Sequence, residues 1–336
     1  MGFIGGAILS AAGIRFNGEM AMEYVLLLPG QGSQRVGMGK DLCDAFPAAR
    51  EAFHTVDDAV GSALSTLAFN GPIDDLTRTF NAQPALLAHS AAVWTVVREA
   101  IGPSVRAAAG HSLGEFSAYY VSGAYDLVDA ARIVRRRGTL MYEQGLARPG
   151  AMAAIIGVLS VSIDTICEQA SAEGAVVVPA NYNSGEQVVI SGEVAGVDRA
   201  MLLAKAAGAK RCFPLPVSGA FHSPLMQPAV AGLEVALNTA HWSQPKYPVV
   251  ANVNAEVVTD TARARALLVQ QLTAPVQWTQ TMLHLAALYP NATFVEIGTG
   301  HVLAGLARRI APHIRTATCG TVSEIEVLLA SAGTHV

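Results

Sequence analysis

The chain has 336 residues, 51% of them hydrophobic, enough to bury one large core or two coupled ones. A formal net charge of −4 gives no support for nucleic-acid binding, and no apolar run reaches the ~20 residues that span a bilayer, so the sequence reads as a cytoplasmic protein that engages neither nucleic acid nor membrane. Four scattered cysteines (Cys43, Cys167, Cys212 and Cys319) lack metal-ligand spacing, which fits a reducing compartment and argues against a disulfide framework or a metal site.

Residues 1–14 are apolar and rich in Gly and Ala, ending at Arg15. No basic segment precedes the apolar stretch, as a secretory signal requires, and Gly6 stands where a myristoylation signal has Ser or Thr. Residues 1–22 therefore read as a disordered N-terminal extension ahead of a domain that begins near Glu23.

Tyr24-Val25-Leu26-Leu27-Leu28, closed by Pro29-Gly30, has the continuous apolar character of a strand buried on both faces. The loop after it, Gly30-Gln31-Gly32-Ser33-Gln34, lies at a strand's carboxyl end, where open α/β sheets build their sites. It lacks the lysine of a phosphate-binding Walker loop. Gln31 there is either a donor to an anion or part of a polar turn. Residues 38–100 read as mostly helical, with loops at Asn70-Gly71-Pro72 and Asn81-Ala82-Gln83-Pro84 and a core-packed helix from Pro84 onward.

Residues 105–109 form a strand that runs into Gly110-His111-Ser112-Leu113-Gly114, followed by a helix-like segment to Val121. A strand, G-x-S-x-G and a helix in succession are the pattern of a nucleophile elbow, with the serine at a strained apex and the helix N–H groups free to meet an oxyanion. The next helix, residues 127–141, carries Arg132, Arg135, Arg136 and Arg137. From residue 151 to 216 the predicted order is β (151–158), α (161–172), β (175–180), β (187–191), α (194–207) and β (210–215), a ferredoxin-like βαββαβ unit. Strands at 248–253 and 293–297 and helices at 263–272, 302–310 and 323–329 complete the chain.

The fold class is therefore α/β. An α/β-hydrolase-like large subdomain with a parallel sheet and a nucleophile elbow takes residues 23–147 and 218–336, and a ferredoxin-like small subdomain is inserted at 148–217.

A serine hydroxyl needs a base to become a nucleophile. Of nine histidines, His222 stands out because Gly219-Ala220-Phe221-His222-Ser223-Pro224 follows the insertion directly, where the chain re-enters the body. Clefts commonly form between subdomains, and Ser before His is the chain order of α/β-type serine hydrolases. These features alone leave an acyl transferase, a hydrolase or thioesterase with water as acceptor, and a non-catalytic docking module all open.

Gly30-Gln31-Gly32-Ser33-Gln34, Gln83-Pro84-Ala85, Gly110-His111-Ser112-Leu113-Gly114-Glu115, Arg137-Gly138, Ala220-Phe221-His222-Ser223-Pro224-Leu225-Met226 and Pro275-Val276-Gln277-Trp278 occur in one order and spacing. In these motifs, residues 24–330 resemble the malonyl-CoA:acyl carrier protein transacylases of fatty acid and polyketide synthesis. The resemblance implies transfer of a malonyl group from CoA to the phosphopantetheine thiol of an acyl carrier protein by a monomeric enzyme with no cofactor and no metal.

The resemblance also implies site roles. Ser112 would be acylated, His222 would be its base, and the main-chain carbonyl of Gln271 would orient that base. Gln31 and the Leu113 N–H would form the oxyanion hole. Arg137 would clamp the malonyl carboxylate, a task suited to an always-charged bidentate fork. His111 and Gln83 would line the pocket, and Asn181 and Asn183 would face the pantetheine entrance. Arg132, Arg135 and Arg136 are left as a solvated face or a help in docking the carrier. The chain departs from the family at Gly298-Thr299-Gly300, where many members have Gly-Pro-Gly. It also has Phe221 where some have serine, an aromatic ring that would crowd an α-methyl group and favour malonyl over methylmalonyl.

Overall fold

Ten strands organise the chain: β1 (Tyr24–Leu28), β2 (Val105–Gly110), β3 (Ala151–Ile156), β4 (Val177–Ser184), β5 (Gln187–Gly192), β6 (Arg211–Pro214), β7 (Val249–Val250), β8 (Val257–Val258), β9 (Thr293–Ile297) and β10 (Arg315–Cys319). They are seen in a computed structural model that describes residues 22–172, 174–217 and 219–333. The disordered extension expected at residues 1–22 thus lies, up to residue 21, outside the described residues.

Six strands make one sheet in the order β10-β9-β1-β2-β7-β8, parallel throughout except for the β7–β8 hairpin at one edge. All five residues of β1 are buried. Tyr24, Leu26 and Leu28 face one hydrophobic core, whereas Val25 and Leu27 face the other. A parallel sheet covered on both sides requires this continuous apolar run. Beside it, Ala107, Ala108 and Ala109 of β2 keep the sheet surface thin under the helices on either face.

The other four strands form a separate antiparallel sheet, ordered β4-β5-β3-β6. With the helices Ile163–Ser171 and Val194–Ala206, the chain runs βαββαβ as the sequence predicts. Ile155, Ile166, Ile190 and Val197 centre a core of its own. The two sheets are joined by backbone: Val276 N–H donates to Ala180 C=O at 2.8 Å and Tyr182 N–H donates to Val276 C=O at 2.9 Å. Gln277 N–H continues the line to Asn252 C=O at 2.7 Å.

Three expectations need correction. The loop expected at Asn81-Ala82-Gln83-Pro84 is helix, because one helix runs from Thr79 to Ile101 with Pro84 inside it. Proline removes the hydrogen bond to the carbonyl four residues back, here that of Phe80. Arg135 Nη1 donates to that carbonyl at 2.7 Å and to Asn81 Oδ1 at 2.8 Å, so the orphaned acceptor is satisfied from a neighbouring helix. By the same contacts Arg135, half-buried, is tied to the neighbouring helix; Arg132 and Arg136 are exposed. The strand expected over 248–253 is only β7, because the chain turns back at Ala255, whose φ is 56°. The edge strand β10 and the helix Trp278–Leu288 were not anticipated. The β10 sequence alternates polar and small residues, a pattern that also suits a loop.

Among the described residues no helix is long and apolar enough to cross a membrane.

Candidate active site

The turn after β2 brings Ser112 to the apex of a strand–helix junction with φ 51° and ψ −104°, a conformation that costs an L-residue energy. The fold holds it there by packing too tight for any other glycine choice. A Cβ on Gly110 would sit 1.9 Å from the backbone of Gly114, and one on Gly114 would sit 1.9 Å from Leu28 C=O. Asn252, at the carboxyl end of β7, ties both sides of the turn: its Oδ1 accepts from Ser112 N–H and its Nδ2 donates to Gly110 C=O, each at 2.7 Å. The helix Leu113–Val121 starts at once, so Leu113 N–H has no helical carbonyl to meet and lines the cavity beside Ser112.

His222 also has a positive φ, 57°, at the re-entry loop. Its Nε2 lies 2.7 Å from Ser112 Oγ. Its Nδ1 faces two backbone carbonyls, Gln271 at 2.9 Å and Ala274 at 3.2 Å. Carbonyls only accept, so Nδ1 carries the proton and Nε2 is the free lone pair turned to the serine hydroxyl. Burial, then the nearby Arg137 charge, push the imidazole pKa down to about 3, which keeps the ring neutral.

Arg137 is 1% exposed and is held from three sides. Nη1 donates to Gln83 Oε1 at 2.8 Å, and Nη2 donates to Gln271 Oε1 at 2.7 Å and to Ser112 Oγ at 3.1 Å. The Phe116 ring lies 5.0 Å from the guanidinium carbon. Burial draws its pKa down to about 10, still charged near neutrality. Among the described residues no carboxylate makes an ion pair with it. Glu115 is joined to it by hydrogen bonds through Gln271, whose Nε2 donates to Glu115 Oε2 at 2.6 Å, and otherwise acts on it by charge across that gap. Burial raises the Glu115 carboxyl to about 7, so that acid only partly offsets the guanidinium. A buried cation without its own counterion, beside a nucleophile, is a site made for an anion.

The cavity in front of these groups is about 230 Å³. Gln31, Leu113, Arg137 and His222 line it from the large-sheet side, Met152 and Asn181 from the small sheet, and Phe221 beside the base. Gln31 Oε1 accepts from Thr79 Oγ at 2.8 Å, and Thr79 Oγ accepts from Gln83 Nε2 at 2.8 Å. His111 lines the cavity too, with Nε2 2.7 Å from Asn183 Oδ1 and its ring 5.5 Å from that of Trp278. Asn183 thus meets the site through His111, and Asn181 meets it directly. Gln83 stands behind Arg137 and does not line the cavity.

Gln31, His111, Leu113, Arg137, Asn181, Phe221 and His222 thus line one cavity with Ser112, while Gln83, Asn183 and Gln271 stand behind it as hydrogen-bond partners. Sequence reasoning gave no role to Asn252, Glu115, Thr79 or Ala274. The local signals were the place of Glu115 in the elbow motif and that of Asn252 at a strand's carboxyl end. Among the described residues no group of three His, Cys, Asp or Glu side chains is placed to hold a metal ion.

Known proteins share this architecture. The family described as "Acyl transferase domain" matches residues 25–315. The "Malonyl CoA-acyl carrier protein transacylase" of Bacillus subtilis (strain 168) is 42% identical over 307 residues, 91% of this chain and 96% of that protein. The crystal structure of an acyl-carrier-protein-S-malonyltransferase from Bartonella henselae superposes with TM-score 0.88 at 45% identity, covering 93% of this chain and 100% of that one. A malonyl-transacylase in complex with a type II PKS acyl-carrier protein gives TM-score 0.87 at 41% identity, over 92% of this chain and 99% of that one.

Proposed function

This chain belongs to the malonyl CoA-acyl carrier protein transacylases, and on that premise we propose that it carries a malonyl group from CoA to the phosphopantetheine thiol of an acyl carrier protein by way of an ester on Ser112. The observation that carries this reading is Arg137, a buried guanidinium held between two glutamines, 3.1 Å from Ser112 Oγ and without a carboxylate of its own. Monoacyl donors have nothing for it to bind; a malonyl half-thioester does. The hydrolase alternative is not favoured, since release of simple acyl groups makes no use of that cation.

The chemistry follows in two similar halves. Malonyl-CoA enters with its carboxylate on Arg137, which exchanges its bond to Ser112 Oγ for the substrate oxygens. His222 Nε2 takes the serine proton as Oγ attacks the thioester carbonyl. The Gln31 amide and Leu113 N–H receive the oxyanion. The C–S bond then breaks, and the departing CoA sulfur takes the proton back from His222. In the second half the carrier thiol gives its proton to His222 and attacks the serine ester, Ser112 regains a hydrogen, and the malonyl group leaves on the carrier. Throughout, the Gln271 and Ala274 carbonyls hold the Nδ1 proton and stabilise the imidazolium that forms. His111 and Asn181 flank the thioester's path in, and Asn183 acts there by anchoring His111.

The same reading takes residues 23–147 and 218–336 as the catalytic body and 148–217 as the inserted unit that walls the entrance. The enzyme works as a cytoplasmic monomer and needs no cofactor beyond its two thiol-bearing substrates. Intact-protein mass after brief mixing with malonyl-CoA tests the proposal. A malonyl adduct should appear, vanish on addition of holo carrier protein, and be absent in Ser112→Ala; an adduct that survives in Ser112→Ala, or that passes only to water, would reject it.

A further inference from the structure

We propose that Thr79 is a positioning residue for the acyl transfer, its hydroxyl turning the Gln31 amide so that the N–H end and not the carbonyl end meets the thioester oxygen. The inference deepens the function proposed above, since it rests on Gln31 being an oxyanion donor. A glutamine amide is nearly symmetric in shape, so packing alone does not choose which end faces the pocket. Turned the wrong way, its oxygen would repel the charge that develops on the substrate.

The choice is made by a chain of hydrogen bonds with only one possible direction. It begins at Arg137, which has five N–H donors and no acceptor. Nη1 lies 2.8 Å from one end of the Gln83 amide, so that end is oxygen. The opposite end is then NH2, and it lies 2.8 Å from Thr79 Oγ, which must accept. The hydroxyl hydrogen is left to donate, and the atom 2.8 Å from it is therefore the Gln31 oxygen. Gln31 Nε2 is what remains to face the cavity. Gln83 is fully buried and Thr79 is 1% exposed, so the Thr79 hydroxyl depends on these two protein partners. Were Gln31 to flip, the buried Thr79 hydroxyl would face only donors and lose its acceptor.

The residue that grips the substrate's carboxylate thus also sets the polarity of the group that stabilises the reacting oxygen. Thr79 is the link between them, and valine has its shape without its hydrogen bonds.

The experiment is steady-state malonyl transfer from malonyl-CoA to holo carrier protein by the full chain with Thr79→Val, Thr79→Ala, Thr79→Ser, Gln31→Ala and Thr79→Val/Gln31→Ala. Thr79→Val and Thr79→Ala should each lower kcat by at least about tenfold, with KM for malonyl-CoA changed by less than about threefold. Thr79→Ser should recover most of that loss. The double variant should be no slower than Gln31→Ala alone, because an absent amide cannot be misoriented. The ratio of malonyl to acetyl labelling should stay as in the parent enzyme.

Losses that multiply in the double variant would overturn the role of Thr79 while leaving that of Gln31 standing. A collapse of the malonyl-to-acetyl ratio would also overturn it, by placing Thr79's effect on the Arg137 clamp. A Gln31→Ala enzyme with undiminished kcat would reject the oxyanion role itself, and the positioning role with it.

Discussion

Arg137 Nη2 donates to Ser112 Oγ at 3.1 Å, the same oxygen that His222 Nε2 holds at 2.7 Å. A fixed cation and a neutral base therefore share one nucleophile. The cation favours the serine's developing negative charge and, by disfavouring a proton on the base, keeps His222 neutral and open to accept one when substrate arrives.

That sharing has a signature in pH. His222 sits at about 3 against an ordinary 6.5, held down first by burial and then by the Arg137 charge. Serine acylation by malonyl-CoA should therefore stay nearly level from about pH 8 to about pH 5, with no fall through the usual imidazole range. In Arg137→Met the acid limb should move up while remaining below 6.5, because burial is still present. A wild-type limb centred at 6.5 in single-turnover labelling would contradict this.

The same arginine should set donor choice. Arg137→Ala is expected to slow labelling by malonyl-CoA by at least about a hundredfold and to leave acetyl-CoA labelling unchanged or improved. Equal losses with both donors, measured by rapid-quench mass spectrometry, would remove the clamp role.

Glu115 predicts a pH dependence of stability. Its folded pKa is raised to about 7 from 4.5, by burial above all, so the native state binds a proton more tightly than the unfolded chain. Its stabilising contribution is complete below 4.5 and is lost as pH rises through about 7. Glu115→Gln lacks that loss and should gain on the wild type by roughly 2 to 3 kcal/mol between those limits. Urea midpoints at a series of pH values would show it, and a difference that does not change with pH would exclude it.

The elbow glycines should be irreplaceable for steric reasons. Gly110→Ala and Gly114→Ala each place a Cβ 1.9 Å from backbone and should cost more than about 3 kcal/mol or prevent folding. Gly305→Ala, in the helix Val302–Ile310 with nothing within 4 Å of the new methyl, should instead stabilise by about 0.5–1 kcal/mol. Comparable losses at all three sites would show that the elbow is not the constrained point.

Phe221, at the cavity wall, addresses the extender unit. Phe221→Ser should raise the methylmalonyl-to-malonyl ratio of kcat/KM by about tenfold, the modest scale expected for one steric contact. An unchanged ratio would mean that another wall discriminates.

The parts of this site written in consecutive residues are those the sequence discloses. The elbow is five residues long, and the continuous apolar run of β1 needs no partner to be recognised. The alternation of short strands and helices between residues 151 and 214 likewise displays the small sheet. The residues that hold the catalytic groups in place are different. Arg137 meets Gln83 from 54 positions away and Gln271 from 134, and Ser112 meets Asn252 from 140. No periodicity links such positions, so Gln83 and Gln271 were reached only through a family likeness, and Asn252 and Thr79 were not reached. Pro84 misled for a related reason, since the group that makes it tolerable in a helix is Arg135, 55 residues from Phe80.

The backbone line from Ala180 and Tyr182 through Val276 and Gln277 to Asn252 joins the edge of the small sheet to the residue that grips Ser112 N–H. Rotating one sheet against the other along this seam would break main-chain hydrogen bonds and pull directly on the nucleophile. The seam thus couples the two walls of the cleft: a change at the small-sheet edge is felt at the nucleophile, and Met152 and Phe221, lining side chains away from the seam, are where the cavity can adjust at least cost to Ser112.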